Sequence, residues 1–218
     1  MGQYTKNGLL NGYKKNNKER AELDYYATPT AEVENILNAL NYNFNGLSIL
    51  EPCVGGGHML DGIINYCDQR GQTPKSIIGT EWADRGYRND RCNLTYGLDF
   101  LDDDYPASKA DVIVMNPPYA TLEPFLIRAL EIAQRDLIVL CRTQVLEGAS
   151  RYKNIFSTNP PDEIYQYIDR IQCWKNGKKP TGSSAQAYCW LVWKGMNITG
   201  TLIRPNIKPQ LNWIHRAD

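Results

Sequence analysis

The sequence predicts an α/β fold: a mostly parallel twisted sheet with helices on both faces and an antiparallel hairpin at one edge. Three observations predict it. Short apolar runs, each closed by an acidic or turn residue, alternate with segments whose apolar residues recur at helical spacing. Hydrophobic residues make up 42% of the 218, enough to bury a full core within one domain. Late in the chain, two strand-like runs separated by a turn-rich loop replace the strand–helix alternation.

Taken in order, residues 1–23 read as a basic arm, with Lys6, Lys14, Lys15, Lys18 and Arg20 opposed, through Arg20, only by Glu19. It fits a solvated tail as well as a phosphate-contacting segment. Residues 24–218 read as a single domain. Thr28-Pro29 places an N-cap before a proline at the first helical position, and Val33, Ile36, Leu37 and Leu40 follow at helical spacing. Leu47–Leu50 is a short strand ending at Glu51-Pro52. Gly55-Gly56-Gly57 then turns the chain into a helix over His58–Cys67, with Met59, Ile63 and Ile64 inward. Ser76–Thr80 is a second strand, closed by Glu81. A third, Asp111–Met115, is stopped by Asn116-Pro117-Pro118-Tyr119. A helix over Leu122–Gln134 and a strand over Leu137–Leu140 follow. Beyond Leu146 the pattern gives a helical Ala149–Phe156 and a strand over Ile164–Ile171. A basic loop over Cys173–Ser184 leads to the aromatic strand Ala187–Trp193, whose rings alternate between two faces.

Charge and cysteine usage narrow the function. Lysine plus arginine and aspartate plus glutamate each number 24, so the net charge is +0 and bulk positive charge cannot drive nucleic-acid binding. A local basic groove is still allowed. The apolar runs are too short to span a bilayer, and the N-terminus lacks the apolar core of a secretory signal. Six scattered cysteines, with no C-x-x-C pair, predict a reducing, cytoplasmic setting and no structural metal.

In an open α/β sheet, ligands sit beyond the carboxyl ends of the strands. Those ends hold Glu51-Pro52-Cys53-Val54-Gly55-Gly56-Gly57, Glu81-Trp82, Asp99-Phe100 and Asn116-Pro117-Pro118-Tyr119. Glycine lets backbone approach a ligand closely, although such turns also merely join strand to helix. Glu81 is suited to accept hydrogen bonds from the two hydroxyls of a ribose, and a solvated strand end fits it equally. Asp102, Asp103 and Asp104 make an exposed acidic loop the competing reading of Asp99. Two prolines after Asn116 sit where no backbone donor is needed. The Asn116 oxygen and the Pro117 carbonyl are then placed to accept both hydrogens of one amino group, with the flat Tyr119 ring for stacking. Read alone, the run is also an ordinary strand-terminating turn. His58 fits a filler role beside the glycine turn, and Arg142 fits either the site's mouth or solvent.

With these residues in order, the sequence resembles the class I S-adenosylmethionine-dependent amino-methyltransferases. It most resembles the N6-adenine DNA methyltransferases of bacteria and their phages, over about residues 24–193. Asp24-Tyr25-Tyr26-Ala27-Thr28-Pro29 resembles their motif X, Glu51–Gly57 motif I, and Glu81 the ribose-binding acid. Asp99-Phe100 resembles the pair that reads the cofactor adenine, and Asn116–Tyr119 the catalytic motif IV. The resemblance implies a Rossmann-like class I methyltransferase fold and S-adenosylmethionine as cofactor. It would be held by Tyr26, Thr28, Pro29, Glu51, Pro52, Cys53, Gly55, Gly57, Glu81, Trp82, Asp99, Phe100 and Asn116. Catalysis would fall to Asn116, Pro117, Pro118 and Tyr119.

Motif X ahead of motif I resembles the γ-type order, without a separate target-recognition domain. Ser183–Trp193 resembles the same stretch of compact phage-borne relatives. Asn-Pro-Pro-Tyr is shared with protein-glutamine and some RNA-base methyltransferases, which leaves those substrates, and an inactive cofactor-binding subunit, as alternatives. Roles in restriction pairing, anti-restriction or regulation are equally open.

A DNA substrate requires an adenine that is flipped out or unpaired. Arg170, Lys175, Lys178 and Lys179, with Trp174 among them, combine phosphate-binding charge with an aromatic platform, opposed only by Asp169 between 169 and 182. A plain solvated hairpin loop is the competing reading.

Overall fold

The computed structural model describes residues 25–106, 109–182, 185–195 and 207–217. The predicted basic arm over 1–23 lies outside them, as do Asp24, Ser183 and Ser184. The chain forms β1 (Tyr26–Ala27), α1 (Thr30–Ala39), β2 (Ser48–Glu51), α2 (His58–Gln69), β3 (Ser76–Glu81) and β4 (Asn93–Tyr96). It continues through β5 (Ala110–Met115), α3 (Leu122–Ile132) and β6 (Ala133–Arg142). A short helical turn, α4 (Ala149–Arg151), runs on into a π-helical stretch over Tyr152–Phe156. Then come β7 (Glu163–Tyr167), β8 (Trp174–Lys175), β9 (Tyr188–Trp193) and β10 (Gln210–Ile214).

Eight strands make one sheet in the order β10-β7-β9-β6-β5-β2-β3-β4. Every pairing is parallel except those of β9, which runs antiparallel to both β6 and β7. The expected antiparallel pair is therefore β7 with β9, and β10 adds a further strand outside it. From β2 the chain builds outward through β3 to β4, then returns to the other side of β2 for β5 and β6. The order thus reverses between β2 and β5, and in open α/β sheets ligands bind beyond the carboxyl ends of the strands at such a switch point.

Alternation along the central strands decides which helix covers which face. Val112 and Val114 of β5 join the core beneath α1 and α2, with Val33, Ile36, Leu37, Leu60 and Ile63. Ile113 and Met115 face the opposite core, with Phe125, Leu126, Ala129 and Leu130 of α3. The sheet is buried on both faces, as its near-continuous apolar strands require. Trp190 and Trp193 lie in the two different cores, 0% and 1% exposed. Each buried indole N–H is satisfied, Trp190 donating to the Tyr167 hydroxyl at 2.9 Å and Trp193 to the Asn159 carbonyl at 3.0 Å. Among the described residues, no helix is long and apolar enough to cross a membrane.

Candidate active site

The switch point is lined first by the end of β2. Glu51 is 1% exposed, and its Oε1 accepts from the Cys53 amide at 3.2 Å and the Cys53 thiol at 3.1 Å. Burial pushes its carboxyl up to about 8; the two Cys53 bonds act against this, and the Glu81 charge adds to it. Burial and the nearby Glu51 carboxyl also hold the Cys53 thiol well above its ordinary value, so it stays a donor. It reaches the Asn116 carbonyl at 3.5 Å, linking the ends of β2 and β5.

Gly55 and Gly57 adopt φ of 56° and 86°, a region that only glycine enters cheaply. Their missing side chains are also used for packing. A Cβ on Gly55 would stand 2.2 Å from the Tyr25 ring, and one on Gly57 2.0 Å from the Tyr87 ring. The Gly55 amide donates to Glu81 Oε2 at 2.7 Å, and the Gly56 amide to the Tyr25 hydroxyl at 2.7 Å. Glu81 thus braces the glycine turn from the end of β3.

Asn116 follows β5 directly, and its amide nitrogen is fully engaged. It donates to the Tyr26 carbonyl at 2.9 Å and to Thr28 Oγ1 at 3.0 Å. A carbonyl can only accept, so this pairing fixes which end of the carboxamide is nitrogen. Asn116 Oδ1 is left shielded from solvent with no hydrogen-bond partner among the described residues. The expected N-cap role of Thr28 does not hold. Helix α1 begins at Thr30 with Pro29 as its N-cap, and no side chain caps it. Thr28, 3% exposed, instead spends its hydroxyl on Asn116.

Pro117 is buried, and the Pro118 carbonyl accepts from the Thr121 amide at 3.1 Å, starting the turn that leads into α3. Tyr119 bonds the Tyr188 hydroxyl at 3.1 Å, and its ring centroid lies 5.0 Å from that of Tyr26. Burial, with Cys173 and Tyr188 beside it, holds the Tyr119 hydroxyl far above the ordinary tyrosine range, so it stays neutral. The Arg142 guanidinium lies 4.0 Å from the Tyr119 ring centroid.

No protein-family model and no curated protein matches this sequence. Solved structures do. A class I S-adenosylmethionine-dependent methyltransferase from Listeria monocytogenes, described as putative, aligns with a TM-score of 0.58 at 14% identity, over 94% of this chain and 70% of its own. A putative RNA methyltransferase from Pyrococcus horikoshii aligns at 0.54 and 16% identity, over 80% and 88%. The fold is that of the class I methyltransferases. The methyltransferase subunit of a type I restriction–modification system from Streptococcus thermophilus aligns at 0.56 and 15% identity. That match covers 78% of this chain and 45% of the subunit, so the chain spans less than half of that relative.

Within this methyltransferase fold, the remaining expected residues gather on the same rim. The Leu98 amide donates to the Glu81 carbonyl at 3.3 Å, which draws Asp99-Phe100 beside Glu81. Asp99 Oδ1 accepts from the Leu101 amide at 2.9 Å, and Phe100 packs against Tyr105 and Phe125 at 5.1 and 5.0 Å. Pro52 is buried and Trp82 half-buried.

The basic loop is tied to this rim. β8 pairs with β1, setting Trp174 opposite Ala27 and Lys175 opposite Tyr26, and the Asn176 amide donates to the Tyr25 carbonyl at 2.8 Å. The Trp174 ring meets His58 edge-on at 5.5 Å. Arg170, Lys175, Lys178 and Lys179 are exposed. Two residues gain places beside Tyr119 that the sequence reading did not give them, Cys173 and Tyr188. Of the two readings of Arg142, the structure sets its guanidinium against the Tyr119 ring.

Proposed function

We propose that this chain transfers a methyl group from S-adenosylmethionine to the exocyclic N6 amino nitrogen of adenine in DNA. The observation that carries the reading is the Asn116 carboxamide: its nitrogen is tied down twice, and its oxygen is buried without a donor among the described residues. An orphaned buried acceptor is costly, and a substrate N–H relieves the cost when it enters. Glu51 supports the cofactor assignment. A buried carboxyl with two Cys53 donors and a neighbouring Glu81 charge suits a ligand that brings positive charge, as a sulfonium with an ammonium group does.

S-adenosylmethionine, when bound, supplies a methyl group activated by its attachment to a sulfonium. Glu51, the glycine turn, Glu81 and Asp99 would hold it along the carboxyl ends of β2, β3 and β4. An exocyclic adenine nitrogen is a weak nucleophile because its lone pair is delocalised into the ring. Asn116 Oδ1 and the Pro117 carbonyl accept its two hydrogens, which favours a tetrahedral nitrogen and frees the lone pair. The same oriented dipoles stabilise the positive charge that develops there. The half-buried rings of Tyr26 and Tyr119, backed by Tyr188, give a planar base an aromatic wall, which favours a base over a glutamine amide.

The test is to sequence DNA from cells expressing the protein, reading modified adenines and their flanking bases. N6-methyladenine at defined sites is expected, and none in cells expressing Asn116→Ala, whose purified protein still binds S-adenosylmethionine. Methyl groups found only in RNA or on protein glutamine would replace the DNA assignment. Full turnover by Asn116→Ala would overturn the mechanism.

A further inference from the structure

The Arg142 guanidinium covers rings of the aromatic wall to which the base is assigned above. It lies 4.0 Å from the Tyr119 ring centroid and 5.8 Å from that of Tyr26. An offset-stacked ring needs its centroid within about 4.5–7 Å of its partner's, and the guanidinium takes up that space. Arg142 is the last residue of β6, the strand next to β5, and pairs in register with Tyr188 of β9. Among the described residues, its Nε is shielded from solvent with no hydrogen-bond partner, and no ion pair includes it. A cation resting on ring faces without an anion is held less firmly than one in a bidentate pair.

We propose that Arg142 keeps the place of the target base: its guanidinium covers the Tyr119 ring until a nucleotide flips in, then turns outward to pair with that nucleotide's flanking phosphate. Base entry and phosphate capture are thereby one exchange, in which the cation trades an aromatic surface for an anion that its planar fork fits. A base without a charged backbone cannot complete the exchange, so Arg142 selects nucleic acid over other amino-group substrates. The proposal rests on the nucleic-acid reading above.

The experiment uses the full chain and a short single-stranded oligonucleotide with one adenine, its sequence taken from the methylated sites. A second oligonucleotide carries neutral methylphosphonate linkages on both sides of that adenine. Wild type is expected to bind the charged oligonucleotide at least tenfold more tightly than the neutral one. Arg142→Met, similar in length and uncharged, is expected to bind the two alike, and Arg142→Lys to keep part of the difference. S-adenosylmethionine affinity equal to wild type shows that the variants are folded. The same linkage preference in Arg142→Met as in wild type, or no preference in wild type, overturns the exchange and leaves the methyltransferase reading standing. Wild type that binds neither oligonucleotide overturns the exchange as well, since the proposed capture needs only the nucleotide and its flanking phosphates.

Discussion

Oγ1 of Thr28 accepts a hydrogen bond from Asn116 Nδ2 at 3.0 Å, so the carboxamide to which we assign catalysis is aimed by a residue 88 positions earlier in the chain. Thr28→Val removes that acceptor and keeps the shape. One lost hydrogen bond is worth about 1 kcal/mol, so the rate of methyl transfer in single turnover should fall several-fold to about tenfold. Substrate affinity should change little, and Thr28→Ser should recover most of the rate; an unchanged rate in Thr28→Val would remove the aiming role. Glu51 yields a second expectation. Its carboxyl, normally near 4.5, is pushed up to about 8 by burial, so the native state holds this proton more tightly than the unfolded chain does. Its contribution to stability is complete below about 4.5 and is lost as pH rises towards 8. Thermal melts of ligand-free wild type minus those of Glu51→Gln should therefore show a difference that falls from pH 5 to pH 8. A flat difference would contradict the buried-acid assignment. Glu51 and Asn116 were legible in the sequence because both follow apolar runs that end abruptly. Thr28 was misread because Thr-Pro before a helix is also a start signal, and only the fold brings it against Asn116.

At the scale of elements, α1 and α2 pack so closely that Gly62 has no room for a methyl group. A Cβ there would meet Val33 Cβ at 2.6 Å and the Thr30 carbonyl oxygen at 2.9 Å. The second contact is backbone, so α1 itself must move. Overpacking costs roughly 1–3 kcal/mol, against a gain of up to about 1 kcal/mol in helix propensity, so Gly62→Ala is net destabilising. For a chain of this size that lowers the melting temperature by roughly 2–8 °C. Because α1 begins just after Thr28 and Pro29, activity should fall further than stability alone accounts for. An unshifted melt would show that the helices can part without cost. The regular elements were legible because each carries several residues of one period. β1 and β8, two residues each, are too short to show any. β10 hid for another reason: Leu211 and Trp213 point outward, 53% and 68% exposed, so its apolar pattern is not that of a core strand. The strand expected over Ile164–Ile171 ends at Tyr167, and the π-helical stretch over Tyr152–Phe156 has no sequence signature beyond that of a helix.

Across the whole molecule, 24 positive and 24 negative charges cancel, so any attraction for a polyanion must come from where the charges sit. The fold concentrates one group. β8 fastens the loop bearing Lys175, Lys178 and Lys179 to β1, which also supplies the carbonyl that holds Asn116. These lysines were readable as a basic loop from the chain alone; that the loop is fastened to the strand holding Asn116 came only from a two-residue pairing. Each lysine that neutralises a phosphate releases counterions, so binding should weaken steeply as salt rises, by about 0.7 units of log–log slope per contact on a single strand and 0.9 on a duplex. Replacing all three with alanine should reduce the slope of wild type by about 2–3, measured as oligonucleotide affinity between 50 and 200 mM salt. The loss should be equal across DNA sequences, because phosphate contacts carry no base identity. A slope unchanged by the triple replacement would move the binding surface to another part of the chain. A loss confined to certain sequences would instead make the loop a reader of bases, with Trp174 as the side chain to test next.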